Sequence, residues 1–294
     1  MMSTPAHSPR FSPLLVLLVG IVATSISSIL IRLAQAEAPS LVVAAWRMIL
    51  ATAMLLPLCW QWRRPELARL DSGGWALAAA AGLFLALHFA SWISSLAYTS
   101  VASSTVLVTT TPIWVGLASP IFLKESLSRP LKIGIVLAVG GSMIIGLGAT
   151  GIGSNPLLGN SLALVGAVSG SAYFLIGRRL RVRLSLLSYA TVVYGVAAVV
   201  LWLVVLWQGL PMIGYSPITY LLLFLMALVP QLLGHSSYNW ALGYLPAAYV
   251  SVAIVSEPVV ASFLALLIFQ EIPGWLTLVG GVLILGGIVV SSKR

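Results

Sequence analysis

The sequence predicts an all-α integral membrane protein, with ten transmembrane helices arranged as two five-helix repeats of inverted topology and both termini cytoplasmic. Three observations carry this. Of 294 residues, 60% are hydrophobic and only 7% charged, against roughly 25% charged in an ordinary soluble domain. Much of a soluble globule is still surface, so a chain this apolar has lipid as its solvent, and a mean hydropathy of +1.08 agrees. The apolar residues also fall into ten runs near the length of about 20 residues that a helix needs to cross a bilayer. Finally, Tyr98, Pro112 and Glu125 recur 146 positions later as Tyr244, Pro258 and Glu271, and Gly134, Gly140 and Gly141 recur as Gly280, Gly286 and Gly287.

The ten spans run 13–33, 40–60, 73–98, 102–123, 131–149, 157–177, 185–207, 218–243, 246–269 and 274–292. The first, with Arg10 before it and Ala34-Gln35-Ala36 after it, imitates a signal peptide. Its apolar run is longer than the usual h-region of about 7–15 residues. Gly20, Ser25 and Arg32 also return as Gly166, Ser171 and Arg178, so the run completes the first repeat. The first repeat therefore covers 1–149 and the second 157–294. Pro39, Pro130, Gly151–Pro156, Gly209–Pro217 and Pro273-Gly274 punctuate the spans, and very short turns near Ser100 and Pro246 make tight hairpins of spans three and four and of spans eight and nine.

Orientation follows from the excess of Lys and Arg in cytoplasmic loops. With the N-terminus inside, the inner loops and ends hold Arg10, Arg63, Arg64, Arg69, Lys124, Arg129, Lys132, Arg178, Arg179, Arg181, Arg183, Lys293 and Arg294, thirteen of the fifteen cations. The other two, Arg32 and Arg47, lie at or inside spans. Short basic clusters between apolar runs also explain the net charge of +9 as orientation signals, without nucleic acid. Five spans per repeat is an odd number, so the repeats enter the membrane from opposite sides. Such inverted duplication recurs in secondary transporters, where binding lies near the midplane between repeats. Multi-pass residence in the cell membrane follows, in a bacterium the inner membrane.

Span three places His88, Ser91, Trp92 and Ser95 on one helical face, and span eight repeats the pattern with Gln231, His235, Tyr238 and Asn239. Polar stripes at membrane depth face protein or a water-filled cavity, so the two stripes point either to interhelical hydrogen bonds or to a cavity between repeats. Span four reads Thr109-Thr110-Thr111-Pro112-Ile113-Trp114 and span nine Val255-Ser256-Glu257-Pro258. Proline frees a carbonyl near i−4, which makes Pro112 and Pro258 candidate hinges. Thr110, Trp114, Ser256 and Glu257 are candidate cavity residues beside them, with Tyr173 on span six. Glu257 is the one acidic residue clearly in a span. Arg47, about two turns below the outer end of span two, is a candidate structural or coupling charge. It can pair with Glu257, tie to helix-end carbonyls or snorkel outward.

Gly140-Gly141 and Gly286-Gly287 allow close helix approach, as a scaffold or a dimer face, which leaves monomer and homodimer both open. The single cysteine, Cys59, offers no disulfide or thiol metal site. The glycine run 146–153 lacks a nucleotide-loop continuation, and no paired carboxylates or Ser-His-Asp set appears. The expectation is no metal, no cofactor and no enzyme activity.

Ala97-Tyr98-Thr99-Ser100-Val101-Ala102, Thr111-Pro112-Ile113, Lys124-Glu125-Ser126-Leu127 and Gly140-Gly141 resemble one EamA repeat. Leu242-Gly243-Tyr244, Ser256-Glu257-Pro258, Gln270-Glu271 and Gly286-Gly287 resemble the second. Arg47 matches the arginine usual in the second helix of that repeat, whereas the second repeat has Val193 there and the first has Thr111 in place of the glutamate. The resemblance covers nearly the whole chain and implies the drug/metabolite transporter superfamily. It implies ten helices in two inverted bundles, helices five and ten peripheral to a central cavity, and export of small metabolites. Aromatic and polar stripe residues suit an amphipathic zwitterion, so amino acids are the expected solute. Another small metabolite or drug-like solute, a membrane-embedded enzyme and a solute receptor are the alternatives.

Overall fold

The computed structural model describes residues 11–147, 153–260 and 274–292. Arg10, Gln270, Glu271, Pro273, Lys293 and Arg294 lie outside the described residues. Within them every regular element is helical. Seven helical stretches are long and apolar enough to cross a membrane: Pro13–Ala34, Ser40–Ala68, Ser72–Tyr98, Ser103–Phe122, Pro156–Arg181, Leu186–Trp207 and Pro217–Ala241. Two shorter apolar helices, Ala247–Val260 and Leu278–Ser291, accompany them.

In chain order the helices are α1 (Pro13–Ser25), α2 (Ser27–Ala34), α3 (Ser40–Ala68), α4 (Ser72–Tyr98), α5 (Val101–Val108), α6 (Thr111–Phe122) and α7 (Arg129–Leu147). Then come α8 (Pro156–Arg181), α9 (Leu186–Trp207), α10 (Pro217–Met226), a π-helical stretch Ala227–His235, α11 (Ser236–Ala241), α12 (Ala247–Ile254) and α13 (Trp275–Ser291). Side-chain caps start many of them. Asp71, Ser100, Asn155, Ser185 and Ser216 each accept a hydrogen bond from a backbone N–H three residues on, satisfying a donor that the first helical turn leaves unpaired.

Three of the expected spans are interrupted. The first breaks at Ile26, where Thr24 and Ser25 donate their hydroxyls to carbonyls of the preceding turn, Gly20 and Ile21. The fourth breaks between α5 and α6. There Pro112 cannot donate to the Val108 carbonyl, and the Thr111 hydroxyl takes that acceptor at 2.8 Å. Pro112 thus stands in the first turn of α6, where a missing N–H costs nothing. The ninth breaks at 255–256, with the Ser256 hydroxyl on the Ala253 carbonyl at 2.7 Å, and helix resumes over 257–260. The eighth stays continuous but loosens into the π-helical stretch around Pro230, the kind of bulge often found at functional sites.

Packing crosses between the two halves of the chain. The most extensive contacts are α4 on α8, α7 on α13 and α3 on α9, and α1 packs on the π-helical stretch and α11. Exchanging each residue for its counterpart 146 positions away leaves this set unchanged: α4 on α8 becomes the α11 segment on α1, and α7 on α13 maps to itself. At that last contact Gly134 meets Gly287 and Gly141 meets Gly280. A Cβ on Gly134 would lie 2.6 Å from the Gly287 carbonyl, and one on Gly141 2.5 Å from the Gly280 carbonyl. Gly140 and Gly286 have open space instead, so the close-packed glycines are not both members of each Gly-Gly pair. We expect Gly141→Leu to cost about 1–3 kcal/mol through overpacking, read as a lower melting temperature in detergent, while Gly140→Leu stays near wild type.

Several arginines meet at one end of the bundle. There Arg63, Arg69 and Arg183 line one surface pocket with Glu66. The Glu66 carboxylate accepts the Ser185 N–H at 2.5 Å and the Ser188 hydroxyl at 2.8 Å, capping α9. Arg178 pairs with Glu125 at 2.8 Å and donates to the Leu242 carbonyl, and Arg181 donates to the Asn239 carbonyl, so arginines cover the C-terminus of α11. At the opposite end Trp46 donates to the Met212 carbonyl, Arg32 to the Thr99 carbonyl and the Asn155 N–H to the Tyr98 carbonyl.

Glu37 also lies at that opposite end, accepting the Ser216 N–H at 2.9 Å and the Thr219 hydroxyl at 2.8 Å. These bonds, the Ser216 N–H foremost, hold its carboxyl below the usual carboxylate range. A depressed folded-state value makes the tie complete above the ordinary pKa and weakens it as pH falls through the depressed one. Hydrogen exchange at the start of α10 should therefore quicken on acidification in the wild type, and be fast and independent of pH-linked protonation in Glu37→Ala once intrinsic exchange is corrected.

Candidate functional site

The three helix breaks and the π-helical stretch meet at a partly open cavity of about 50 Å³. Thr24 and Ser27 reach it from the α1–α2 break, Thr109 and Thr111 from the α5–α6 break, and Ser251, Ile254 and Glu257 from α12 and its continuation. His235 and Tyr238 enter from the eighth span, His88 and Trp92 from α4, and Gly170, Tyr173 and Phe174 from α8. A water needs at least about 10–15 Å³ of such volume, so there is room for a few waters. Small-molecule sites are typically about 300–1,000 Å³, so a solute enters only if the walls separate.

Among the described residues, Glu257 is the carboxylate that lines the cavity. Its Oε1 accepts the Thr24 hydroxyl at 2.9 Å and the Tyr238 hydroxyl at 2.8 Å, and those two hydroxyls also touch each other. The helix break is what frees the carboxylate to project here. Glu257 opens the resumed helix, and Thr24 is brought opposite by the break at Ile26. One acid thus joins the first and ninth spans through the eighth.

Beside it, an aromatic wall is built by His88, stacked on Trp92 with ring centroids 5.9 Å apart, and by His235, edge-on to Tyr238 at 5.7 Å. The two histidine rings lie 6.4 Å apart. His88 Nδ1 bonds the Gly166 carbonyl at 2.8 Å. Tyr173 donates to Asn239 Oδ1 at 2.5 Å, and Asn239 Nδ2 donates to the Tyr194 hydroxyl at 3.0 Å.

Arg47 does not snorkel. It is 0% exposed, with Nε donating to Gln231 Oε1 at 2.8 Å, Nη1 to Ser27 Oγ at 2.9 Å and its guanidinium 4.2 Å from the centroid of the Phe89 ring. Neither a pairing with Glu257 nor a tie to helix-end carbonyls is present among the described residues, where the ion pair is Arg178–Glu125. The physical reason is distance from water. Two turns inside the bundle, the stem is packed by α4 and the eighth span, and Gln231 and the Phe89 face are the acceptors within reach.

Of the residues singled out in the sequence, His88, Trp92, Tyr173, His235, Tyr238 and Glu257 line the cavity. Gln231 and Asn239 stand behind it, holding Arg47 and Tyr173. Ser91 and Ser95 do not line it; their hydroxyls bond the Leu87 and Trp92 carbonyls, Ser95 also meeting Ser104. Thr110 bonds the Leu107 carbonyl and accepts from Trp114, which is partly exposed. Pro112 and Pro258 follow the breaks. Thr24, Ser27, Thr109, Thr111 and Ser251 line the cavity without being candidates from the sequence, which points to Thr110 and Ser256 instead. The signal that could have found them is the helical face: Thr24 and Ser27 are three residues apart, as are Ser251 and Ile254 before the break.

No group of three or more His, Cys, Asp or Glu side chains that could hold a metal occurs among the described residues. Among the cavity's titratable side chains, Glu257 accepts the Tyr238 hydroxyl and His88 bonds the Gly166 carbonyl.

The EamA-like transporter family model matches this chain twice, over residues 11–147 and 157–293. The uncharacterized transporter YdfC of Bacillus subtilis (strain 168) is 24% identical over 195 residues, 66% of this chain and 63% of the relative. The uncharacterized transporter YetK of the same organism is 29% identical over 160 residues, 53% of this chain and 48% of the relative. The chain thus spans about half to under two thirds of the curated relatives it matches. A solved crystal structure is similar over 97% of both chains with a TM-score of 0.77 at 19% identity, which shows the fold.

Proposed function

This chain belongs to the EamA-like transporter family, and we propose that it is a secondary carrier exporting small metabolites, amino acids foremost, by alternating access around the central cavity. It is a multi-pass cell-membrane protein. The proposal further gives it ten spans in two inverted repeats, 1–149 and 157–294, with both termini cytoplasmic. The exchange symmetry of the helix contacts and the meeting of several arginines at one end support that arrangement.

The observation that carries the reading is the meeting of three interrupted helices, drawn from both halves of the chain, at a cavity holding a carboxylate. Interrupted helices at membrane depth are tolerated where they line a cavity, and in transporters they build the site around which the halves rock. Polar groups on an aromatic wall suit a solute that is both charged and apolar. Pro112 and Pro258 are the hinges in this reading, each placed where the backbone has already surrendered its helical hydrogen bonds.

The test is flux of a mixed amino-acid pool from proteoliposomes, resolved by mass spectrometry, with and without a pH gradient. Selective loss of a few amino acids supports the carrier and names its solutes. Retention of every amino acid by correctly inserted protein removes the amino-acid assignment. Chemical change in the pool would point to an enzyme, and binding without flux to a receptor.

A further inference from the structure

The buried cation Arg47 touches no carboxylate among the described residues, Glu257 acting on it only through space, and its surroundings identify one end of the solute. Its guanidinium is held by two neutral partners and an aromatic face, while Nη2 has no hydrogen-bond partner. No carboxylate lies within 4.0 Å of it among the described residues. His235 Nδ1 nearby is also without a hydrogen-bond partner, and Gln231 Nε2 makes no hydrogen bond of ordinary geometry, though its side chain faces the Tyr194 hydroxyl. Gln231 is 0% and His235 8% exposed. Because Gln231 Oε1 is committed to Arg47, its amide presents only N–H groups to anything else. His235 and Ser27, the residue that Nη1 bonds, both line the cavity.

We propose that Arg47, Gln231 and His235 form a carboxylate subsite beside the cavity, so that the transported solute carries a carboxylate and places it against the guanidinium. This rests on the carrier reading above and deepens it. Buried polar atoms are almost always paired, and a buried charge is tolerated when paired. A cluster presenting a planar guanidinium edge, an amide N–H and an imidazole nitrogen matches the two-oxygen, planar geometry of a carboxylate. It rejects an ammonium group by like charge. Glu257, bonded to Thr24 and Tyr238 rather than to Arg47, stays available for the opposite end of a zwitterion.

The experiment measures binding to the purified full-length protein in detergent, by equilibrium dialysis and thermal shift. Leucine, phenylalanine and tryptophan are each compared with the amine lacking only the carboxylate: isoamylamine, phenethylamine and tryptamine. The expected result is at least one acid binding tenfold or more tightly than its amine, with the ratio falling towards one in Arg47→Gln and severalfold in His235→Phe. The second variant keeps an aromatic ring against Phe89 and Tyr238 should Arg47→Gln fail to fold. A purely structural Arg47 would alter both affinities together and leave their ratio intact, which would overturn the proposal. So would an amine binding as well as its acid in the wild type, binding by none of the six, or displacement of the bound acid by inorganic phosphate but not by acetate. Vesicles that move solute without any acid preference would leave the carrier standing and remove only the subsite, whereas absence of all flux would remove the carrier itself.

Discussion

Glutamine in place of Glu257 is expected to slow solute flux by roughly ten- to a hundredfold in proteoliposomes while leaving a folded protein. Glutamine keeps the shape of the side chain and an oxygen that can accept the Thr24 and Tyr238 hydroxyls, now at 2.9 and 2.8 Å. Only the charge and the proton-binding site are lost. A hydrogen bond to a charged group is worth about 1.5–3 kcal/mol, and about 1.4 kcal/mol is tenfold, which sets the range. Alanine would also strand the two hydroxyls and open the wall, so it should lower the melting temperature as well as the flux. The pair of variants therefore separates charge from packing. Flux driven by a pH gradient that survives intact in Glu257→Gln would rule out proton coupling through this residue.

The helices were legible because lipid is a uniform solvent, and runs of apolar residues report it directly. Span seven was expected at 185–207 and α9 runs Leu186–Trp207; span six was expected at 157–177 and α8 begins at Pro156. Where the chain leaves the apolar layer the signal ends before the helix does. The second span was expected to stop near 60, yet α3 continues to Ala68 through Arg63 and Arg64, since polar residues are no obstacle to helical hydrogen bonding. The break at Ile26 was invisible for a different reason. No proline or glycine marks it, and the partners that Thr24 meets beside it, Tyr238 and Glu257, lie more than 200 residues away.

The site was half legible by the same logic. His88, His235 and Glu257 stand out because polar groups in lipid need a reason, and they do line the cavity. Ser91 and Ser95 share the helical face of His88 but satisfy themselves on carbonyls of their own helix, a local solution that spacing alone cannot distinguish from a cavity. Arg47 was recognised as a charge without its surroundings, because Gln231 lies 184 residues away in sequence. Repeat symmetry marked small residues for close helix approach but not which helix they meet. It marked both Gly140 and Gly141, and only the rotation of α7 against α13 decides that Gly141 carries the approach.

Leucine at Gly170 is expected to reduce flux to near background, the largest loss for any change that adds no charge. Gly170 lines the cavity, and a Cβ there would lie 2.8 Å from His88 Nδ1 and 3.2 Å from Cε1. The imidazole cannot retreat cheaply, since Nδ1 is held by the Gly166 carbonyl and the ring is stacked on Trp92. Displacing it drives the aromatic wall into a space of about 50 Å³, and the added isobutyl group competes for what remains. Overpacking of this kind costs about 1–3 kcal/mol, which the bundle can absorb, so the protein should still insert and give a single peak on gel filtration. Gly170→Ala should fall between leucine and wild type, because one methyl requires only a small shift of the ring. Gly140→Leu, in open space, controls for bulk added elsewhere to a helix. Wild-type flux through Gly170→Leu would mean that solute does not pass this cavity, and the path would have to be sought along another face of the bundle.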